Sequence, residues 1–155
     1  MLDDIGLAIL KILQEKARIP NVEVARRVGM APSAVLERIR KLERQGFIDG
    51  YEVRLNPERF DRGLVAFVTV TPAAPEAEPV LGRRLAELDE VQEVHFVAGR
   101  DGYLVKVRCA DTAALDRLLR ERIAVLPGVA ATRTAIALAT LKETARIPIE
   151  NGKET

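Results

Sequence analysis

The sequence has little of several things, and each shortage narrows what the protein can be. Cys109 is the only cysteine in 155 residues, so no intrachain disulfide and no multi-thiolate zinc site can form, and a reducing compartment is the simplest setting. His95 is the only histidine, which leaves one side chain suited to general acid–base work near neutral pH. Its place between Val94 and Phe96 in an apolar strand reads as structural rather than catalytic. Tryptophan is absent, and no Walker loop, Gly-rich nucleotide fingerprint, metal-ligand cluster or nucleophile elbow occurs. The expectation is therefore a protein that is not an enzyme, with no metal and no cofactor. An excess of one charge is also missing. Lys and Arg total 24 against 23 Asp and Glu, so any attraction to nucleic acid must be local. No apolar run approaches the length of a membrane span, and "MLDDIGLAIL" begins with two aspartates where a signal peptide would carry basic residues. A soluble cytoplasmic protein without a membrane partner is expected, and 48% hydrophobic residues suffice to bury a core in one ordinary domain or two small ones.

What is present divides near "NPERFDRG", Asn56 to Gly63, a stretch rich in charge and turn formers. Before it the period is helical. Ile5, Ile9, Ile12 and Leu13 share one face of a first helix that starts around Asp3, whose carboxylate suits a helix N-terminus. A second helix begins at Asn21, which is placed to cap it, and Gly29 stops it. Pro32 is pre-organised for the first turn of a third helix, although Ala31 before it offers no cap. Beyond Gly46, Tyr51, Val53 and Leu55 alternate with Glu52 and Arg54, which reads as a small β wing.

A short helix, a tight turn at Gly29 and a longer helix form the arrangement that sets a helix into DNA. On the third helix Val35, Ile39 and Leu42 face a core, while Ser33, Glu37, Arg40, Lys41 and Arg44 face away. From Lys16 to Arg44 there are eight basic residues against three acidic, so the charge that the whole lacks is concentrated here. The candidate DNA-binding residues are Asn21, Arg26, Arg27, Pro32, Ser33, Ala34, Glu37, Arg38, Arg40, Lys41 and Arg44. The guanidinium and ammonium groups suit phosphates; Ser33, Ala34, Glu37 and Arg38, early on the helix, are better placed for base edges.

The second half changes to a strand period. "LVAFVTVT" is a strand, and a helix follows to about Leu88 with Leu81, Leu85 and Leu88 inward and Pro75 and Pro79 in its approach or first turn. "VQEVHFVAG" and "YLVKVRC" are strands joined at "GRDGY", with Tyr103, Val105, Val107 and Cys109 on one side. Asp111 caps another helix with Leu115, Leu118, Leu119, Ile123 and Leu126 inward, and "TRTAIALATL" is a last strand. Strand–helix–strand occurs twice, echoed by "LDEV" and "LPGV" at the two helix ends, which is the ferredoxin-like pattern. Two helices cover one face of a four-stranded sheet, so the other face is expected to be bare, mixed in polarity and suited to self-association.

These residues resemble the Lrp/AsnC family over about Asp3 to Ile149: the string "LERIRKLERQGFI", the loop "GRDGYLVKVR" against the family's GxxDY motif, and "LPGVAATRT". The resemblance implies an α+β chain, an N-terminal winged helix-turn-helix at 1–60 plus a C-terminal ferredoxin-like βαββαβ (RAM/ACT-like) domain at 61–142, with a tail at 143–155. It implies a sequence-specific transcription regulator that binds double-stranded DNA, pairs with itself into dimers and often octamers, and senses an amino acid between subunits. The implied effector residues are Gly99, Arg100, Asp101, Gly102 and Tyr103 of the loop and Thr132, Thr134 and Ala135 of the last strand. Free N–H groups in such a turn can hold a ligand carboxylate, and an acidic side chain its ammonium. The sequence departs from the family at both ends of this set. Gly102 stands where the motif has Asp, with Asp101 one residue early, and Ala135 where the family's leucine-responsive member has tyrosine. Three outcomes stay open: Asp101 reaches the pocket, it faces solvent, or the site has lost its amino acid. The plain reading of "GRDGY" is a hairpin turn, and Arg100 and Arg133 are possible anion partners. Two other functions are weighed. One is a DNA-organising protein that needs no effector. The other follows from a fold similar to that of the siroheme decarboxylases, for which "YLVKV" lacks the expected aromatic residues.

Overall fold

The computed structural model describes residues 2–75, 78–98 and 102–150. The chain divides into two compact units, one formed by the residues up to Arg54 together with the segment from Lys142, the other by Leu55–Leu141.

The first unit contains α1 (Asp4–Glu15), α2 (Asn21–Val28) and α3 (Pro32–Arg44). Asp3 caps α1, its carboxylate accepting from the Gly6 N–H at 2.8 Å. Ile9, Leu13, Ile19, Val24, Ala25, Val35, Ile39 and Leu42 form the core between the three helices, each larger side chain contributing roughly 1.5–3 kcal/mol of burial. The alternation expected for a wing finds no strand partner among the described residues: residues 48–56 enter no sheet there, and Tyr51, Val53 and Leu55 are exposed. Tyr51 is tied instead to α3, its hydroxyl donating to Glu43 Oε1 at 2.9 Å. The segment read from the sequence as a C-terminal tail is tied to α1 at Ile147. Gln14 of α1 donates its amide to the Ile147 carbonyl and accepts from the Ile147 N–H, at 2.8 and 3.0 Å. The side-chain amide thus acts as a one-residue stand-in for a paired strand.

The second unit is a four-stranded antiparallel sheet with helices on one face. A short 3-10 turn, Pro57–Phe60, leads to β1 (Leu64–Pro72), α4 (Glu78–Ala86), β2 (Val91–Phe96), β3 (Tyr103–Cys109), α5 (Thr112–Arg117), which continues as a π-helical stretch Leu118–Ile123, and β4 (Val129–Ile136). The order across the sheet is β2-β3-β1-β4, as the repeated strand–helix–strand pattern requires. Asp111 caps α5 through the Ala114 N–H at 2.7 Å. The last strand is shifted from its expectation: it starts at Val129 and ends at Ile136, leaving Leu138 and Leu141 fully exposed. β1 pairs with β4 from Ala66 opposite Ile136 to Pro72 opposite Val129, while β1 itself begins earlier, at Leu64.

Side-chain alternation then assigns the faces. Ala66, Val68, Val70, Tyr103, Val105, Val107 and Cys109 are buried beneath Leu81 and Leu85 of α4 and Leu115, Leu118 and Ile123 of the last helical segment. Phe67, Thr69, Glu93, His95, Leu104, Lys106, Arg133 and Ala135 occupy the opposite, helix-free face, by their cross-strand partnerships.

Candidate nucleic-acid interface and ligand cavity

The interruption between α2 and α3 has a specific geometry. Gly29 ends α2 in the left-handed region at φ +69°, and the Met30 N–H returns to the Ala25 carbonyl at 3.0 Å, the six-to-one bond of a Schellman end. Two residues later Pro32 opens α3, with Ala31 at the cap position making no side-chain bond. Asn21 does not cap α2: it is the first helical residue, and Pro20 holds the cap position without a side-chain bond. A residue whose own φ and ψ are already helical cannot fold its side chain back onto the N–H groups that follow.

The candidate DNA-contacting residues divide by their partners. Pro32, Ser33, Glu37, Arg40, Lys41 and Arg44 are exposed along α3, and Ala34 is half-buried beside them. Arg40 lies 2.9 Å from Glu37 on the same helix, whereas Lys41 and Arg44 have no hydrogen-bond or ion-pair partner among the described residues. On α2, Glu23 accepts from both Arg26 and Arg27, at 2.7 and 3.0 Å. Arg26 first and Arg27 second hold the Glu23 carboxyl down to about 2, so its single charge is shared between both guanidinium groups and leaves the trio with a net positive charge at neutral pH. Arg38 is the clear departure. Its Nη1 donates to both Asp3 oxygens at 2.7 and 2.8 Å, and with Gly6 this bond holds the Asp3 carboxyl below its ordinary range. Arg38 thus clamps α3 to the start of α1 instead of standing free for a base edge. Asp3 was legible as a cap, but its second partner, 35 residues away, has no local signal.

In the second unit, Gly99, Arg100 and Asp101 lie outside the described residues. Gly102 has φ +135°, and its carbonyl accepts from the Val97 N–H at 3.2 Å. Tyr103 turns toward the helices: it is buried, meets Phe96 edge to face with ring centroids 5.3 Å apart, and lies so close to α4 that a Cβ on Gly82 would come within 2.7 Å of its hydroxyl. That makes Tyr103 a core residue of this unit. The last-strand trio is divided as well. Thr132 and Thr134 pair with Val70 and Val68 on the helix side, while Ala135 pairs with Phe67 on the bare face, because neighbours in a strand point to opposite faces.

The bare face holds a cavity of about 480 Å3 lined by Phe67, Thr69, Val97, Ala98, Leu104, Arg133 and Ala135. Of the described residues in the implied effector set, only Ala135 is among these. Phe67, Thr69 and Leu104 were recoverable from the period-two pattern of β1 and β3 once the inward parity was known. Beside the cavity, Glu93 accepts from Lys106 at 2.9 Å and meets His95 Nε2 at 3.2 Å. Lys106, then His95, holds the Glu93 carboxyl below its ordinary range. Among the described residues no helix is long and apolar enough to cross a membrane.

Comparison with known proteins agrees with this architecture unit by unit. Residues 2–49 match the winged helix-turn-helix DNA-binding model, and residues 65–147 match the Lrp/AsnC ligand binding domain. The leucine-responsive regulatory protein of Escherichia coli is 43% identical over 151 residues, 96% of this chain and 92% of that protein. The feast or famine regulatory protein of M. tuberculosis complexed with L-methionine superposes with a TM-score of 0.89 at 37% identity, over 97% of this chain and 100% of that one. A transcriptional regulator of Neisseria meningitidis, also in complex with L-Met, gives a TM-score of 0.90 at 30% identity over 96% and 97%. A turn-linked helix pair with a basic outer face, joined to a half-covered antiparallel sheet and matched over nearly its whole length, places this chain in the Lrp/AsnC family of DNA-binding regulators, a family of transcription factors rather than enzymes.

Proposed function

We propose that this protein regulates transcription by seating α3 in the major groove of double-stranded DNA as part of a two-fold assembly whose DNA affinity is tuned by a small amino acid. The observation that carries the reading is the outer stripe of α3. Ser33, Lys41 and Arg44 stand exposed over a rigid inner row of Val35, Ile39 and Leu42, so a stiff helix presents cations that no carboxylate among the described residues offsets. Binding of Lys41→Ala and Arg44→Ala to promoter and random DNA, measured by fluorescence anisotropy across a salt series, tests it. Each variant is expected to lose affinity on both DNAs and to reduce the salt slope by about one. Unchanged binding refutes the docking of this helix, and a small specificity ratio with a steep salt slope favours a DNA-organising role.

The bare sheet face supports self-association, because Phe67 and Leu104 are apolar positions left uncovered by any helix of the sheet's own unit. A second copy covering this face would also enclose the cavity. Arg133 is positioned to take an amino-acid carboxylate, and Phe67, Val97 and Leu104 to take an apolar side chain, which suits leucine or methionine. The L-methionine complexes of the two structural relatives favour the same class of effector. Melting temperature measured with each of the twenty amino acids tests this, since a ligand that binds only the folded state must raise it. A rise with L-methionine or L-leucine that disappears in Arg133→Ala is expected; a flat response across all twenty refutes it. Coupling between effector and DNA would be reciprocal.

A further inference from the structure

A second cavity lies at the opposite end of the sheet from Gly102, where β1 begins and β3 ends. It measures about 370 Å3, and Arg62, Arg108, Arg117, Arg122, Glu90 and Glu121 supply its charged lining. Four guanidinium groups face two carboxylates, so positive charge is in excess around a partly enclosed space. Like charges gathered this way repel, and the repulsion is relieved when an anion enters.

Arg108 donates to Gln92 Oε1 at 2.8 Å and to the Arg62 carbonyl at 3.2 Å. Arg117 has no hydrogen-bond or ion-pair partner among the described residues. Glu90 is poorly engaged: Oε1 is 4.0 Å from Arg122, and Oε2 is buried with no hydrogen-bond partner. An oxygen shielded from water in this way is short of a donor. Leu118 and Ala114 give the space an apolar floor, which suits a short methylene chain between polar ends.

We infer that this groove is a second ligand site, distinct from the sheet-face cavity, that takes a small amino-dicarboxylate. Its two carboxylates meet the guanidinium groups of Arg62, Arg117 and Arg122, and its ammonium supplies the donor that Glu90 lacks. The size and net charge of aspartate or glutamate fit this description. Such a ligand differs in chemistry from the apolar amino acid proposed for the other cavity, and the two sites share no lining residue.

Calorimetric titration of the full chain at fixed ionic strength tests the assignment, with L-glutamate, L-aspartate, glutarate and inorganic phosphate as probes. One of the two amino acids is expected to bind more tightly than glutarate or phosphate. Arg117→Gln combined with Arg122→Gln should weaken that binding by about tenfold or more, since two charge-assisted contacts are removed. Arg133→Gln, on the other cavity, should leave it unchanged, and Glu90→Gln should abolish the preference over glutarate. Both arginines are exposed, so these substitutions leave the core intact. No binding of either amino acid at 10-millimolar order, equal binding of glutarate, or binding indifferent to the arginine pair overturns the inference, and none of these results bears on the DNA interface.

Discussion

Replacing Gly102 is the sharpest test of the loop geometry, because the position sits where the family motif carries aspartate. At φ +135°, a Cβ would lie 2.1 Å from the Val70 carbonyl oxygen and 2.9 Å from Pro72 Cδ. Val70 pairs on both sides, with Tyr103 of β3 and Thr132 of β4, so the obstructing oxygen belongs to a backbone held by two neighbours. A non-glycine residue forced into this region costs about 1–3 kcal/mol, and overpacking against fixed atoms costs a further ~1–3 kcal/mol. The lower entropy of the unfolded alanine variant returns ~0.4–1 kcal/mol. The net expectation for Gly102→Ala is a loss of about 1–6 kcal/mol, each kcal/mol lowering the melting temperature by roughly 4–8 °C for a unit of this size. Scanning calorimetry measures the loss, and amide exchange along β1 and β3 locates it. Gly102→Asp should be at least as damaging, so the family's aspartate is excluded from this loop as it stands here rather than merely absent. A loss for Gly102→Ala below about 1 kcal/mol, within the range of ordinary surface changes, would refute the reasoning.

Two further perturbations address charge. Asp3→Ala removes both the cap of α1 and the partner of Arg38, and should lower the melting temperature more than Arg38→Ala, which leaves the Gly6 bond in place. Because the folded Asp3 carboxyl is held below its ordinary value, its contribution is complete above that value and is lost as pH falls through the lowered one; acid titration of Asp3→Asn should lack this loss. Glu93 follows the same sign. Held down first by Lys106 and then by His95, it contributes fully above its ordinary 4.5 and loses that contribution as pH falls through the depressed value. Glu93→Gln should therefore be less stable at pH 7 and show a shallower acid limb by urea denaturation, and an unchanged acid limb would count against the Glu93–Lys106 pair.

Much of the architecture could be read locally. The three helices, the turn at Gly29, the inward rows Val35/Ile39/Leu42 and Leu81/Leu85/Leu88, and the Asp3 and Asp111 caps each follow from residues within a few positions of one another. Their physical causes, periodic burial and satisfaction of the first helical N–H groups, act over that range. The extent of β4 was less legible, because it depends on pairing with β1, far away in the chain. The same reason explains the unpaired 51–55 segment: alternation marks a residue's fitness for a sheet and not the presence of a neighbour.

The candidate sites separate along the same line. Composition and period marked α3 as an exposed basic helix and the loop before Tyr103 as tight, while the Lrp/AsnC family was read from the resemblance of whole strings such as "LERIRKLERQGFI". Only the folded chain decided that Arg38 is occupied by Asp3, that Gln14 holds Ile147, and that Tyr103 belongs to the core. It also decided that Thr132 and Thr134 face the helices while Arg133 and Ala135 face the open cavity. Each of these depends on which side of a strand or helix meets a partner remote in sequence, and a local pattern fixes the spacing of side chains but leaves their partners to packing.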